Sequence, residues 1–170
     1  MPDLFVYGTL CDHELLENVL GRHVAASEVC PGEFKDHTVH WVQDQNYPVI
    51  IPHVGSTAKG HVLTGLSQED LAKLDYYEGG FGYFTQDVSI STQSGTLSAL
   101  VYFSDHQDVA LGAKWELARW QNVWGPMARS ASLEFMSAFG TTPSKNVIPY
   151  FNMMQVRAHS RILGQTDPRL

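Results

Sequence analysis

The pattern of hydrophobic and polar positions changes once along the chain, near Phe103. Before that point, short apolar or alternating runs separated by glycine, proline and asparagine predict β-strands. These runs are "LFVYG" (4–8), "HTVHWV" (37–42), "YPVIIPHV" (47–54), "GHVLTGL" (60–66), "DVSI" (87–90) and "LSALVYF" (97–103). The last two runs flank a polar segment around Gly95, which predicts a hairpin.

Two helices interrupt these strands. Asp12 can cap the first helix, "HELLENVL", and Gly21 is suited to end it. Ser67 is a good N-cap for the second helix, which runs through "QEDLAKLDYYE". Glu78 therefore lies at the C-terminal end of the second helix, where the glycine pair that follows ends the helical pattern.

The chain after Phe103 is predicted to be helical. Pro126 should divide the segment 113–139 into two helices, and a last helix is predicted at 150–163 after the proline-bracketed loop "TTPSKNVIP". The tryptophans of this segment have helical spacing, which favours core packing and otherwise a surface for a protein partner. Arg157 and Arg161 are predicted to lie on a solvated face. The chain is thus predicted to be a single domain over residues 1–170, with an α+β core at 3–105 and a helical C-terminal extension at 113–163 packed on it.

Composition and charge narrow the class of protein. With 11 basic and 18 acidic residues, the chain has a formal net charge of −7, which argues against a nucleic-acid partner or an anionic membrane surface. We find neither a signal peptide nor an apolar span of about 18 residues, so a cytoplasmic protein is predicted. Cys11 and Cys30 have no spacing typical of a disulfide framework or a metal site.

Glu78 is the first candidate for chemistry, because it stands among aromatic residues and glycines in "LDYYEGGFGYF" (74–84). Aromatic side chains exclude water, and a desolvated carboxylate has a raised pKa that suits a general base. Glycines allow close approach of the backbone. The alternative is a helix-end carboxylate that is exposed to water.

The segment Tyr7–Leu10 is the second candidate. A strand that runs through Gly8 and Thr9 into a capped helix leaves backbone N–H groups free, and such groups favour a carboxylate or phosphate. The alternative is a turn that needs glycine for backbone reasons. Tyr102, in "LVYF", either lines a cavity or is a plain strand aromatic.

Three further residues are weaker candidates. Cys11 has no evident base beside it, so a small, partly buried thiol is favoured over a nucleophile. His37 and His40 stand three apart in a predicted strand and therefore on opposite faces, which is poor geometry for a shared metal ion. No metal site is predicted.

"LFVYGTL" (4–10), "GHVLTGLSQEDLAKLDYYEGGFGYFTQDVSI" (60–90) and "LSALVYF" (97–103) together resemble the gamma-glutamylcyclotransferase-like family, which is also known by its plant avirulence-induced members. The resemblance covers about residues 3–105. It implies a small α+β fold with a mixed, barrel-like sheet and a cavity between two loops. It also implies that Glu78 is the general base and that Tyr7, Gly8, Thr9 and Leu10 bind the amino-acid head of the substrate. Tyr83 and Tyr102 are expected to contact the substrate, and neither cofactor nor metal is required.

The resemblance implies a metal-independent acyltransferase that cyclises the γ-glutamyl group of a small peptide or amine to 5-oxoproline. Many members of the family have Tyr-x-Arg where this chain has Tyr83-Phe84-Thr85, and this departure leaves the substrate open. The alternatives are a non-catalytic metabolite-binding module and an interaction module. The arrangement is also similar to N-terminal segments that some bacterial ADP-ribose-hydrolysing proteins fuse to a nudix domain. In the alternative of an interaction module, the partner is therefore expected to be of the nudix type, and a bacterial origin is expected.

Overall fold

The computed structural model describes residues 1–104 and 109–166 of the chain. The strands are β1 (Asp3–Val6), β2 (Val29–Val42), β3 (Pro48–Leu63), β4 (Tyr83–Thr92), β5 (Gly95–Ser104) and β6 (Leu111–Lys114). The helices are α1 (His13–Leu20), α2 (Gln68–Gly79), α3 (Leu117–Val123), α4 (Gly125–Met136), α5 (Ser144–Val147) and α6 (Phe151–Thr166). The core boundary that the sequence predicts at residue 105 lies outside the described residues.

Five of the strands form a closed barrel in the order β3-β1-β5-β4-β2, which closes because β2 also pairs with β3. The sheet is mixed, since β1 is antiparallel to β3 but parallel to β5. β6 pairs with β2 outside this ring. The α+β class and the barrel-like mixed sheet that the sequence predicts are therefore confirmed.

The barrel strands are longer than the sequence predicts. The runs at 47–54 and 60–66 were expected as separate strands, but they belong to the single strand β3, Pro48–Leu63. Residues 53–56 bulge out of the ladder, because Thr57 pairs with Lys35 and Pro52 already pairs with His37. The break in the hydrophobic pattern therefore marks a bulge and not the end of a strand. β6 and the short helix α5, which lies in a predicted loop, were both missed.

Each strand of the barrel separates two hydrophobic cores. Phe5 faces the barrel interior, which is filled by buried residues of all five barrel strands, whereas its neighbours Leu4 and Val6 face the helices. This alternation is the ordinary consequence of the two-residue period of a strand. The barrel interior contains Phe5, Tyr7, Phe34, Ile50, Ala58, Val62, Ile90, Ala99 and Val101. The outer core joins the barrel to the helices through Leu15, Leu63, Leu74, Trp120, Phe135 and their neighbours.

Asp12 connects the barrel side of the molecule to the C-terminal helices. It caps α1 by accepting a hydrogen bond of 2.9 Å from the Leu15 N–H. Its carboxylate also accepts hydrogen bonds from Arg129 of α4, at 2.8 and 2.6 Å, and from Gln121 of α3, at 2.8 Å. Burial alone would raise the pKa of Asp12, but these hydrogen bonds outweigh burial and lower the pKa. The carboxylate, 2% exposed, is thus a paired charge that holds three helices together.

The helical segment is divided as the sequence predicts. α3 ends at Val123, and α4 begins at Gly125 with Pro126 in its first turn, where the missing N–H costs nothing. Arg157 and Arg161 lie on a solvated face, as the sequence predicts. Both exposed side chains also form ion pairs with Glu134 of α4.

We expect Arg129→Met to lower the free energy of unfolding by about 2–3 kcal/mol, because Asp12 would keep its burial and lose its charged partner. Urea denaturation monitored by circular dichroism would measure the change, and a single transition is expected. Arg161→Met is the matched control, since its exposed ion pair should contribute less than about 1 kcal/mol. Equal losses in the two variants, or two separate transitions, would contradict a shared core held by Asp12.

Candidate active site

Glu78 lies in the last turn of α2, which a reciprocal capping box between Ser67 and Asp70 begins. Leu74 and Tyr77 bury one face of this helix against the outer core. The helix therefore fixes the direction of Glu78, whose partly buried side chain lines a cavity of about 110 Å³. Glu78 is therefore not the water-exposed carboxylate at a helix end that the sequence left as the alternative.

The cavity lies between the start of the chain, α2 and the C-terminal helices. All the residues that the sequence proposes for the site line it, although their roles stay predictions. Its wall consists of Phe5–Leu10, Asn46–Pro48, Tyr77, Glu78, Phe81, Tyr83, Tyr102, Trp120, Ala128, Phe151 and Gln155.

The Glu78 carboxylate has no hydrogen-bond or ion-pair partner within residues 1–104 and 109–166. Desolvation raises its pKa from 4.5 to about 7. A carboxylate that is shielded from water is usually paired, so a partly buried one that has no partner and a pKa near neutrality is typical of a proton acceptor at a functional site. The aromatic neighbours in "LDYYEGGFGYF" account for this desolvation in part, because Tyr77 and Phe81 line the same cavity.

Four tyrosines of the cavity wall keep their protons at neutral pH. Burial is the main cause that raises the pKa of each hydroxyl, and the nearby charge of Glu78 raises it further. They are Tyr7, Tyr77, Tyr83 and Tyr102. Their hydroxyls are therefore hydrogen-bond donors and not bases.

Three of these hydroxyls already have partners. The Tyr7 hydroxyl donates to the Tyr102 carbonyl at 2.8 Å, and the Tyr83 hydroxyl donates to the Pro48 carbonyl at 3.1 Å. The Tyr102 hydroxyl donates to the Asp75 carboxylate at 2.5 Å. These bonds fix the rings as walls of the cavity, so Tyr102 is both a strand aromatic and a residue of the cavity lining.

The segment Tyr7–Leu10 leaves β1 and enters a short 3₁₀ turn, Thr9–Cys11. The first N–H groups of such a turn have no acceptor inside it, which leaves donors at the cavity. Packing also requires a glycine at position 8, because a Cβ there would lie 2.6 Å from Cγ of Pro48. The two interpretations of this segment are therefore compatible: the glycine is needed for packing, and the N–H groups that follow it border the cavity.

The sequence suggests that the glycines after Glu78 allow close approach of the backbone. For two of them, the structure shows another reason why a side chain is disfavoured. A Cβ on Gly80 would lie 2.5 Å from Cδ1 of Ile148, so this glycine admits the C-terminal segment. Gly82 has a φ of +80°, which favours glycine at the turn into β4. Both glycines therefore have a structural reason that involves no ligand.

Sequence reasoning missed the part of the wall that comes from the C-terminal helices. Trp120 is 1% exposed and borders the cavity, where its indole N–H donates to the Asn46 carbonyl at 2.9 Å. Ala128 and Phe151 complete this side. The helical spacing of the tryptophans indicates their burial, but it carries no information about the cavity that they cover.

The three weaker candidates from the sequence, Cys11, His37 and His40, are not functional groups of the cavity. Burial raises the pKa of the Cys11 thiol to about 12, and the thiol contacts the Val6 carbonyl oxygen at 3.3 Å, so it is not a nucleophile at neutral pH. Nδ1 of His37 lies 2.9 Å from the Lys35 carbonyl oxygen, and Nδ1 of His40 lies 3.0 Å from that of Gly112. The two histidines therefore contact separate backbone groups.

These features define a class of protein: a small closed barrel of mixed strands with a cavity that holds one desolvated carboxylate. The family model described as "Gamma-glutamyl cyclotransferase, AIG2-like" matches residues 4–122. The chain belongs to this family, as its sequence motifs predict. The match reaches beyond residue 105 and includes Trp120.

The relatives are plant proteins. "AIG2-like protein C" of Arabidopsis thaliana is 29% identical over an alignment of 124 positions, which covers 70% of this chain and 69% of the relative. Two solution structures of Arabidopsis thaliana proteins share the fold. One has a TM-score of 0.59 and 21% identity, over 71% of this chain and 80% of the other. The second has a TM-score of 0.58 and 19% identity, over 89% of this chain and 84% of the other. The second superposition extends the likeness of fold into the C-terminal helices.

Other expectations from the sequence stay predictions. These are the partner of the nudix type, the bacterial origin, the location in the cytoplasm, and a protein partner for the C-terminal helices. Among the helices of the described part of the chain, none has the length and hydropathy needed to cross a membrane.

We expect Glu78→Gln to be more stable than the wild-type protein above about pH 7, because the amide avoids the cost of a desolvated charge. The folded-state pKa of about 7 exceeds the ordinary value of 4.5, so the wild-type protein loses stability relative to the variant as the pH rises between these two values. The difference should be smallest below about pH 4.5, where the carboxyl is protonated in both states. Urea denaturation over this pH range would measure it.

The control is Glu69→Gln, which changes an exposed carboxylate on the same helix that pairs with Lys73. This variant should show no gain in stability above pH 7. If Glu78→Gln were less stable than the wild-type protein at every pH, Glu78 would be a structural helix-end residue and not a desolvated one.

Proposed function

We propose that this protein is a cyclotransferase that converts the γ-glutamyl group of a small peptide or amine to 5-oxoproline, with Glu78 as the general base. The observation that supports this proposal best is the partnerless carboxylate of Glu78, with a pKa of about 7, on the wall of the cavity. Membership of the AIG2-like gamma-glutamyl cyclotransferase family points to the same reaction.

The first step is a proton transfer. An α-ammonium group has a pKa near 8, so most of it is protonated and not nucleophilic at neutral pH. The Glu78 carboxylate accepts one proton from the α-ammonium of the substrate. Because the two pKa values are close, this transfer costs little free energy, whereas a carboxylate with the ordinary pKa would be a much weaker base.

The free α-amine then attacks the γ-carbonyl carbon of the same substrate molecule. A C–N bond forms, and the carbonyl oxygen becomes an oxyanion. When this intermediate collapses, the bond between the γ-carbon and the leaving nitrogen breaks, and the leaving nitrogen takes the proton back from Glu78. The ring nitrogen gives its second proton to the Glu78 carboxylate, which passes it to the departing amine. The products are 5-oxoproline and the amine as its ammonium ion, Glu78 returns to its starting state, and the reaction needs no water. The nucleophile is tethered, so the site mainly has to hold the substrate in a folded conformation.

The segment Tyr7–Leu10 is proposed to orient the substrate. The backbone N–H groups at the start of the Thr9–Cys11 turn suit the α-carboxylate of the γ-glutamyl group. The fixed rings of Tyr7, Tyr83 and Tyr102 would surround the folded glutamyl chain. A largely aromatic wall also limits water, which favours ring closure over hydrolysis.

We expect Glu78→Gln to lower kcat by about a hundredfold or more, the usual contribution of a general base, while substrate binding is retained. In the wild-type protein, kcat/KM should rise with pH through about 7 as Glu78 loses its proton. The measurement is release of 5-oxoproline from a panel of γ-glutamyl dipeptides and γ-glutamyl amines. The matched control is Glu69→Gln, which should keep wild-type activity.

Two outcomes would contradict the proposal. Undiminished turnover in Glu78→Gln would exclude Glu78 as the base. A wild-type protein that binds γ-glutamyl compounds in calorimetry but releases no 5-oxoproline from any of them would be a metabolite-binding module instead.

Ala128→Phe should raise KM at least about tenfold, because an added ring in the cavity would occupy space that the substrate needs, and a displaced contact of this size costs more than 1.4 kcal/mol. Steady-state kinetics on the active substrate would measure the change. Ala118→Phe introduces the same ring at an exposed position of α3 and is the control. If KM were unchanged in a folded Ala128→Phe protein, the C-terminal helices would not form part of the substrate site.

A further inference from the structure

Three side chains outside the cavity bring nitrogen and oxygen ligands together along one side of α1. Nε2 of His13 lies 3.2 Å from Oε1 of Glu17, and Nδ1 of His23 lies 2.6 Å from the same oxygen. Ligand atoms of all three residues lie within 4.8 Å of one another. We propose that His13, Glu17 and His23 form a binding site for a divalent transition-metal ion of the Zn²⁺ type.

The ligand set and the distances fit such an ion. Two imidazoles and one carboxylate are a common protein ligand set for zinc. With metal–ligand distances of about 2.0–2.1 Å, the ligands of a tetrahedral ion stand about 3.3 Å apart. The separation between His13 and Glu17 already has this size. Nδ1 of His23 lies closer than this to Oε1 of Glu17, at 2.6 Å, and its side chain is 80% exposed, so the ring has room to move outward.

The local backbone explains why the three residues meet. His13 and Glu17 stand four apart on one face of α1, so their side chains are neighbours. Gly21 ends the helix with a φ of +66° and reverses the chain, which returns His23 toward the last turn. The Val24 N–H donates to Oε1 of Glu17 at 2.9 Å and fixes the carboxylate between the two rings.

The charges nearby leave the Glu17 carboxylate available. Arg22, which lies next to His23 in the chain, directs its guanidinium to Asp70 and Glu28, at 3.0 and 2.8 Å. An arginine can compete for a carboxylate but cannot bind a metal ion, so its engagement elsewhere favours the site.

A metal ion here would join α1 to the segment that follows it. The three protein ligands leave one tetrahedral position for water or another molecule. Because the unfolded chain does not hold these ligands together, binding should stabilise the folded protein in proportion to metal concentration. The site does not depend on the proposed reaction at Glu78.

The test is titration of the untagged, chelator-treated protein with Zn²⁺, followed by calorimetry and by the melting temperature. The wild-type protein should bind one ion per chain, and the melting temperature should rise with Zn²⁺ concentration. His23→Ala and Glu17→Gln should each weaken binding at least about tenfold, since even indirect partners of metal ligands contribute that much. The glutamine keeps an oxygen for the Val24 N–H, so the fold of the variant should be preserved.

His53→Ala is the matched control, because His53 is exposed and bonds to Ser56 away from α1. This variant should bind Zn²⁺ as the wild-type protein does. Absence of saturable binding in the wild-type protein, or equal weakening in His53→Ala and His23→Ala, would overturn the proposal.

Discussion

The structure depends on the cover that the C-terminal helices place over the barrel beside Glu78. A carboxylate without a partner keeps a pKa of about 7 only while water is excluded from most of its surroundings. Trp120, Ala128 and Phe151 provide this exclusion on one side of the cavity. The cover is in turn held by the buried ion pair between Asp12 and Arg129. A change in the distant ion pair between Asp12 and Arg129 should therefore alter the pKa of Glu78. It would do so by admitting water to the cavity, without any direct contact with Glu78.

β1 connects the barrel to the wall of the cavity. Leu4–Val6 pair with β3 on one side and Asp3–Phe5 pair with β5 on the other, so the strand cannot shift without opening the barrel. Phe5 anchors it in the barrel interior, and Leu4 anchors it in the outer core. The segment that follows, Tyr7–Leu10, borders the cavity and therefore starts from a position fixed on both faces. A short central strand is thus sufficient to place the proposed substrate donors opposite α2.

The sequence predicts the features that depend on local order. Both early helices begin and end where their caps indicate, and the family and the mixed barrel follow from the motifs. Contacts over long separations were missed, because no local pattern encodes them. Trp120 meets Asn46 across the molecule, and Gly80 is small because Ile148 packs on it. The cluster of His13, Glu17 and His23 was missed for a related reason, since it needs the reversal at Gly21 and not a motif of fixed spacing.

Three acidic residues show how the fold assigns different tasks to one kind of group. Asp12 is buried and fully paired, so its charge is stable and it serves to join helices. Glu17 is held by a backbone N–H near the surface, so it stays ionised and available to a cation. Glu78 alone is desolvated without a partner among the described residues, and this arrangement costs folding free energy. Natural proteins accept such a cost mainly at functional sites. The unpaired state of Glu78 is therefore itself an argument that this part of the fold is organised for proton transfer and not for stability.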